Sequence, residues 1–166
     1  NGISIDKLRM GKSGIETSKL LRTRARVLHV TPFNSYPSGI TATASKRAEY
    51  LRFARERHAM IIEDDFDSEF TLLSKPEDTL FSMEPEGHVI YMNSFSKTIA
   101  PSIRTGYLVL PPQMVPLYQP RVGFYSCTVP VFDQLVLAEF ISQGHFERHI
   151  NRVRRRRRLR ASVSSI

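Results

Sequence analysis

Short runs of apolar and β-branched residues divide this chain into regular elements. One run covers Arg26–Thr31 and stops at a proline, and a second opens at Met60 and ends in three consecutive acids. Two further runs cover His88–Met92 and Tyr107–Leu110. Each run predicts a strand, and because the runs are continuous rather than alternating with polar residues, together they indicate an α/β sheet covered on both faces. The fourth run follows the third too closely to need a crossover helix, so we expect its strand to be antiparallel.

Helical periodicity separates the strand-like runs. Ser45 is the predicted N-cap of a helix whose apolar face carries Ala48, Leu51 and Ala54. Val131–Ile141 predicts an apolar helix, and the residues after it predict an amphipathic one. Strands that alternate with helices predict the α/β class, with a mostly parallel sheet and flanking helices.

In such a sheet, ligands bind beyond the carboxyl ends of the strands. Polar clusters around Tyr36, Asp64 and Lys97 follow three of the predicted strands. We therefore expect these clusters to carry the chemistry.

Composition excludes several classes of protein. The chain has 166 residues, of which 41% are hydrophobic, and its apolar runs are far shorter than the roughly 20 residues of a membrane span. Its single cysteine, Cys127, excludes an internal disulfide framework and fits a reducing compartment, so we expect a cytoplasmic protein. We also expect no membrane association and no metal site. The chain begins at Asn1 without a methionine and ends just after a charged stretch, so we expect it to be a fragment of a longer protein.

The net charge of +8 comes largely from one place, Arg152 and Arg154 to Arg158. Clustered arginines release counterions from phosphates and so favour nucleic-acid binding. The alternative is a solvated helix face that leads out of the domain, which is the commoner meaning of a charge run.

A lysine with hydroxyls and a guanidinium nearby follows the third strand. Ser94 and Ser96 flank a phenylalanine just before Lys97, and Arg104 lies seven residues beyond the lysine. An amine of this kind can bond an aldehyde, while hydroxyls and a guanidinium can hold its phosphate. The alternative is a solvated loop lysine beside a surface arginine.

Asp64 and Asp65 end the neighbouring strand. A buried carboxylate opposite a pyridine nitrogen keeps that nitrogen protonated, so that the ring withdraws electrons. The alternative is a helix N-cap or a solvated acidic turn.

Four motifs together resemble one known family. They are the loop from Thr31 to Gly39, the run E-D-D-F-D-S-E-F from Glu63 to Phe70, the run from Ser94 to Pro111, and G-H-F-E-R-H-I before the arginines. Their order and spacing are similar to those of fold-type I aminotransferases, and more closely to the MocR subgroup of GntR-type transcription regulators. The resemblance spans roughly 26–158 and implies a partial large domain of fold-type I that binds pyridoxal 5'-phosphate (PLP).

The resemblance assigns the lysine cluster to the aldehyde and phosphate of PLP. Lys97 is similar to the lysine that bonds the cofactor and acts in catalysis in the enzymes. Arg104, Ser94 and Ser96 match the residues that hold the phosphate.

The remaining cofactor residues come from two earlier motifs. Asp64 resembles the partner of the pyridine nitrogen, with Asp65 as the second choice. Tyr36 falls where many aminotransferases carry an asparagine that contacts the ring oxygen of the cofactor. Phe66 departs from the subgroup, which usually has a tyrosine there. Phenylalanine has no hydroxyl to donate, so one hydrogen bond to the ring oxygen is lost.

The resemblance also implies a domain plan. Residues 1–150 correspond to part of the large domain, and 151–166 to a basic helix that leads to a C-terminal small domain not in this chain. An upstream loop that binds the phosphate is not in the chain either, so we expect PLP to bind the isolated fragment weakly or not at all.

Three functions are open at this point. The first is the effector-sensing domain of a MocR-like regulator, which forms a homodimer and binds DNA through a winged helix-turn-helix outside this chain. Its effector is an amine or amino acid, or PLP itself. The second is a catalytic aminotransferase in which Lys97 moves protons. The third is a nucleic-acid-binding module driven by the arginines.

Overall fold

The computed structural model describes residues 2–65, 68–70, 77–84 and 87–163. The strands are β1 (Met10–Gly11), β2 (Gly14–Ile15), β3 (Val27–Val30), β4 (Met60–Asp64), β5 (Val89–Ser94) and β6 (Gly106–Val109). The helices are α1 (Thr17–Arg22), α2 (Ala44–Arg57), α3 (Leu80–Met83), α4 (Phe95–Thr98), α5 (Val115–Val122), α6 (Val131–Ser142) and α7 (His145–Val163), with short 3₁₀ turns at Ser68–Phe70 and Pro112–Met114.

The chain divides into two units. The first, here called the sheet unit, takes in the described residues of Asn1–Phe66, Asp78–Asn93 and Tyr107–Phe124. The second, the helical unit, takes in those of Asp67–Glu77, Ser94–Gly106 and Tyr125–Ile166.

The main sheet has four strands in the order β3-β4-β5-β6. β3 and β4 are parallel, as are β4 and β5, and Asp64 is level with Met92. All four predicted strands are therefore present, and the mostly parallel α/β fold is confirmed. The direction of β6 stays a prediction.

The core of the sheet unit lies between one face of the sheet and α2. Leu28 and Val30 of β3 alternate with exposed residues, and Ile61 and Val89 are fully buried. The α2 side chains packed with them share an apolar character: Tyr50, Leu51, Phe53 and Ala54. At roughly 1.5 to 3 kcal/mol for each large apolar side chain buried, this layer supplies the main stabilisation of the unit.

The start of α2 differs from the prediction. Its N-cap is Thr43, whose hydroxyl accepts a hydrogen bond from the Lys46 backbone N–H at 3.3 Å. Ser45 is not the cap because Thr43, with φ −63° and ψ 160°, is the last extended residue and the helix begins at the next one.

The buried face of α2 also differs from the prediction. Ala48 is exposed, whereas Lys46 and Arg47 are buried. Each cation is buried with partners, which offset the cost of leaving water. The Lys46 Nζ donates to Glu49 at 2.6 Å and to the Thr17 hydroxyl at 2.9 Å, and Arg47 donates to a backbone carbonyl of the preceding loop at 3.1 Å.

In the helical unit, α7 packs on α6 through aromatic side chains. Phe146 lies edge-on to Phe95 and to Phe140, and Ile150 is buried. Two members of the arginine run continue this inner face, since the Arg154 Nε donates to the Glu69 carbonyl and the Arg157 guanidinium lies 4.4 Å from the Phe70 ring centroid. Part of the arginine run is therefore structural. None of the described helices has the length and apolar content to cross a bilayer.

Candidate functional site

The three acids at the end of β4 have different environments. Glu63 and Asp65 are buried, with 0% and 1% of their surfaces exposed, whereas the Asp64 side chain is 34% exposed. This alternation follows from the strand, because successive side chains point to opposite faces.

Glu63 caps α3. Its two carboxylate oxygens accept hydrogen bonds from the backbone N–H groups of Leu80 at 2.8 Å and Phe81 at 2.9 Å. Burial is the main cause that raises the pKa of Glu63 to about 7, with a smaller rise from Asp65, while the two N–H donors and Arg47 lower it. Glu63 is therefore committed to holding α3 on the sheet.

Asp65 is committed to a buried polar network. The Tyr91 hydroxyl donates to its Oδ2 at 2.7 Å, and the Asn93 amide donates to the Tyr91 hydroxyl at 3.1 Å. Burial, followed by the hydrogen bond to Asp65, raises the pKa of Tyr91 above its ordinary value, so the phenol stays a donor. The backbone N–H of Asp65 donates to the Met92 carbonyl at 2.9 Å and ties this end of β4 to β5.

Asp64 lies on the other face of β4. Its Oδ2 is 3.4 Å from the Nε2 of His29 on β3, and the His29 side chain is 59% exposed. Asp64 is thus the one acid of the three whose carboxylate is accessible to a cationic group outside the sheet core.

The lysine cluster forms a closed turn in the helical unit. Ser94 is the last residue of β5, and Lys97 lies in the single turn of α4 with its side chain exposed. The backbone N–H of Phe95 donates to the Thr105 carbonyl at 2.9 Å, which closes the loop between them.

Ser96 and Arg104 meet inside this turn. The Ser96 hydroxyl donates to the Ile103 carbonyl at 2.5 Å and accepts from the Arg104 guanidinium at 3.2 Å. The turn is anchored from α7, where the His149 ring nitrogen lies 2.9 Å from the Thr98 carbonyl. A primary amine, hydroxyls and an exposed guanidinium are the donor set that an aldehyde with a phosphate requires, so these residues fit that group.

The other two predicted residues have different standings. Tyr36 lies in the loop after β3 and is 85% exposed, beside an isolated bridge between Ser35 and Ile40. Phe66 lies outside the described residues.

The sequence reasoning missed His29, Tyr91 and Asn93. A usable signal was present for His29, since it is the single polar residue within Val27–Val30 and alternates with two buried neighbours. The Tyr91 and Asn93 contacts depend on pairing between strands, which residue spacing does not reveal.

Comparisons with known proteins agree on one family. The profile of the aminotransferase class I and II family matches residues 13–164. The HTH-type transcriptional regulator YhdI of Bacillus subtilis is 34% identical over 93% of this chain and 33% of its own length, and YdeL of the same organism is 33% identical over 98% and 35%. The probable rhizopine catabolism regulatory protein MocR of Rhizobium meliloti is 32% identical over 93% of this chain and 31% of its own. The chain thus spans about a third of the length of these relatives.

Solved structures show the same fold. Pyrococcus horikoshii kynurenine aminotransferase has a TM-score of 0.78 at 27% identity, covering 88% of this chain and 38% of its own. LysN, the α-aminoadipate aminotransferase of Thermus thermophilus, has a TM-score of 0.77 at 28% identity, covering 89% and 40%.

Proposed function

Since this chain belongs to the aminotransferase class I and II family, we propose that it is the PLP-binding, effector-sensing domain of a MocR-like transcription regulator of the GntR group. The observation that carries the proposal is the similarity to helix-turn-helix regulators over more than nine-tenths of the chain. The chain covers only about a third of those relatives, so DNA binding is assigned to a winged helix-turn-helix outside these residues.

The covalent and phosphate contacts in this proposal come from the turn that follows β5. Lys97 bonds the cofactor, and Arg104 with Ser94 and Ser96 holds the phosphate. The support is the Arg104–Ser96 hydrogen bond at 3.2 Å, which holds a guanidinium on the same turn as the amine. When bound, PLP supplies an aldehyde for the amine and an electron-withdrawing ring.

The contacts to the ring are assigned to residues that follow β3 and end β4. Asp64 pairs with the pyridine nitrogen, and Tyr36 is assigned to the ring oxygen. Asp64 is favoured over Asp65 because Asp65 is buried and bonded to Tyr91. No hydroxyl is available from Phe66 for the ring oxygen.

The remaining assignments concern the whole protein. Residues 1–150 form part of the large domain, and 151–166 form a basic helix that leads to a C-terminal small domain. The effector is an amine or amino acid, or PLP itself, and bound PLP would supply the carbonyl chemistry that recognises an amine. The protein acts as a cytoplasmic homodimer.

A catalytic aminotransferase is the second candidate. The observation that favours it is the likeness to aminotransferase structures at TM-scores of 0.77 and 0.78. In that case Lys97 also moves a proton during turnover. Both candidates use the same residues, so they differ only in the events after cofactor binding.

The test of cofactor binding uses the full-length protein. PLP is added, the visible absorption band is recorded, and the adduct is fixed with borohydride and mapped by mass spectrometry. We expect the adduct on Lys97 and no band in Lys97→Ala, while the exposed Lys19→Ala serves as a matched control that keeps the band. An adduct on another lysine would overturn the assignment.

A second measurement separates regulator from enzyme. The loaded protein is challenged with a panel of amines and amino acids, and both keto-acid release and affinity for its upstream DNA are followed. A regulator changes its DNA affinity without continued product release. Many turnovers with unchanged DNA affinity would instead establish the enzyme.

A further inference from the structure

One face of the sheet beside β4 carries a histidine that the family assignment does not use. On β3, Leu28 and Val30 are buried, so His29 between them points to the opposite face. His29 is level with Ile62 on β4. Ile62 and Asp64 lie on one face of β4, and the buried Ile61 and Glu63 lie on the other. His29 and Asp64 therefore share a face, and their Nε2 and Oδ2 atoms are 3.4 Å apart.

We propose that His29 is a positioning residue for Asp64, holding one oxygen of its carboxylate so that the other is presented to a cationic ring nitrogen. This inference rests on the proposed function, which makes Asp64 the partner of the cofactor ring. Among the described residues, His29 is the side chain within salt-bridge distance of Asp64. Glu63 and Asp65, on the opposite face, bond to other groups.

The geometry explains why a carboxylate here needs such a partner. Asp64 is the last residue of β4, and about a third of its side chain is exposed, so the strand does not by itself fix the direction of the carboxylate. An imidazole nitrogen at 3.4 Å restrains one oxygen of the carboxylate. A carboxylate already ordered binds a cation without first losing rotamer freedom.

The expected size of the effect follows from exposure. The His29 side chain is 59% exposed, so water screens the pair and its energy is that of a surface ion pair. We expect His29→Ala to weaken PLP binding about three- to fivefold.

The test is a double-mutant cycle in the full-length protein, with PLP affinity measured by absorbance titration. The variants are His29→Ala, Asp64→Asn and the double variant. If His29 acts through Asp64, His29→Ala weakens binding in the wild type but changes it less than about twofold in Asp64→Asn. His29→Gln, which keeps an N–H donor, should restore binding to within about twofold of wild type.

Val27→Ala is the matched control, because Val27 lies on the same strand and face and is 53% exposed. Val27→Ala should leave PLP affinity unchanged. The His29 variants should keep the melting temperature of the wild type. An unchanged affinity in His29→Ala, or an equal loss in the Asp64→Asn background, would overturn the inference. Failure of the proposed function has a different signature, which is the absence of a borohydride-fixed adduct at Lys97 in the wild type.

Discussion

Asp64→Asn and Asp65→Asn should affect different properties of the protein, although the two residues are adjacent and chemically identical. Asp64→Asn should weaken PLP binding and leave the fold intact. Asp65→Asn should destabilise the fold and leave PLP binding nearly unchanged. The physical reason is the alternation at the end of β4, which exposes a third of the Asp64 side chain and buries Asp65 to 1%.

The magnitudes follow from the partners. Asp65 accepts from the Tyr91 hydroxyl at 2.7 Å, and replacing a charged acceptor by a neutral one costs about 1 to 2 kcal/mol. The new amide group is buried, and leaving it without an acceptor adds about 1 to 3 kcal/mol. Asp64 has an exposed histidine as its partner, so its substitution costs less than about 1 kcal/mol of stability. Losing a charge-assisted contact to the ring, worth about 1.5 to 3 kcal/mol, weakens PLP binding by roughly 10- to 150-fold.

Both properties can be measured on the same preparations of the full-length protein. PLP affinity comes from absorbance titration, and stability from thermal and denaturant unfolding without cofactor. Equal losses of PLP affinity in the two variants would refute the assignment of Asp64 to the ring. A stable Asp65→Asn protein would show that the Tyr91 network contributes little to folding.

Three further predictions test other parts of the structure. Burial raises the pKa of Glu63 from 4.5 to about 7, so between these values the folded state holds a proton that the unfolded state releases. Protonation of Glu63 therefore contributes on the order of 3 kcal/mol to the free energy of unfolding below pH 4.5, and this contribution should be lost as the pH rises to 7. Denaturant melts across this range should give a free energy of unfolding whose dependence on pH differs between wild type and Glu63→Gln. Parallel plots against pH would contradict the prediction. Thr43→Ala should cost about 1 kcal/mol by removing the N-cap of α2, whereas Ser45→Ala should cost less; equal losses in unfolding experiments would speak against Thr43 as the cap. Residues 1–166 alone should bind PLP roughly 100-fold more weakly than the full-length protein, since the family resemblance assigns further phosphate contacts to a loop outside these residues. Micromolar binding by monomeric residues 1–166, in a titration followed by sedimentation, would contradict this.

The sheet could be predicted from sequence because its strands are local features. Each of the four apolar runs became a strand within one or two residues of the predicted ends. The turn that carries Lys97 could also be located, since it follows β5 directly and needs no knowledge of distant contacts.

The buried face of α2 could not be predicted because its partners come from elsewhere in the chain. Lys46 is buried against Thr17, which lies in α1, and Arg47 reaches a carbonyl in the loop before the helix. A pattern of apolar residues assigns both cations to solvent and Ala48 to the core. Tertiary hydrogen bonds reversed that assignment, since a paired cation with a long apolar stem can be buried where its partners lie.

The contact between His29 and Asp64 follows from the side chains that β3 and β4 bury in the core. A one-residue slip of β3 would turn Leu28 and Val30 outward and His29 inward, exposing two core side chains at roughly 1.5 to 3 kcal/mol each and burying an imidazole. The register that avoids this cost pairs Val30 with Glu63, and the same alternation directs Glu63 into the core and Asp64 away from it. Leu28 and Val30 therefore decide which β3 side chain stands beside Asp64, while the buried Ile61 on β4 decides which acids of that strand face the core.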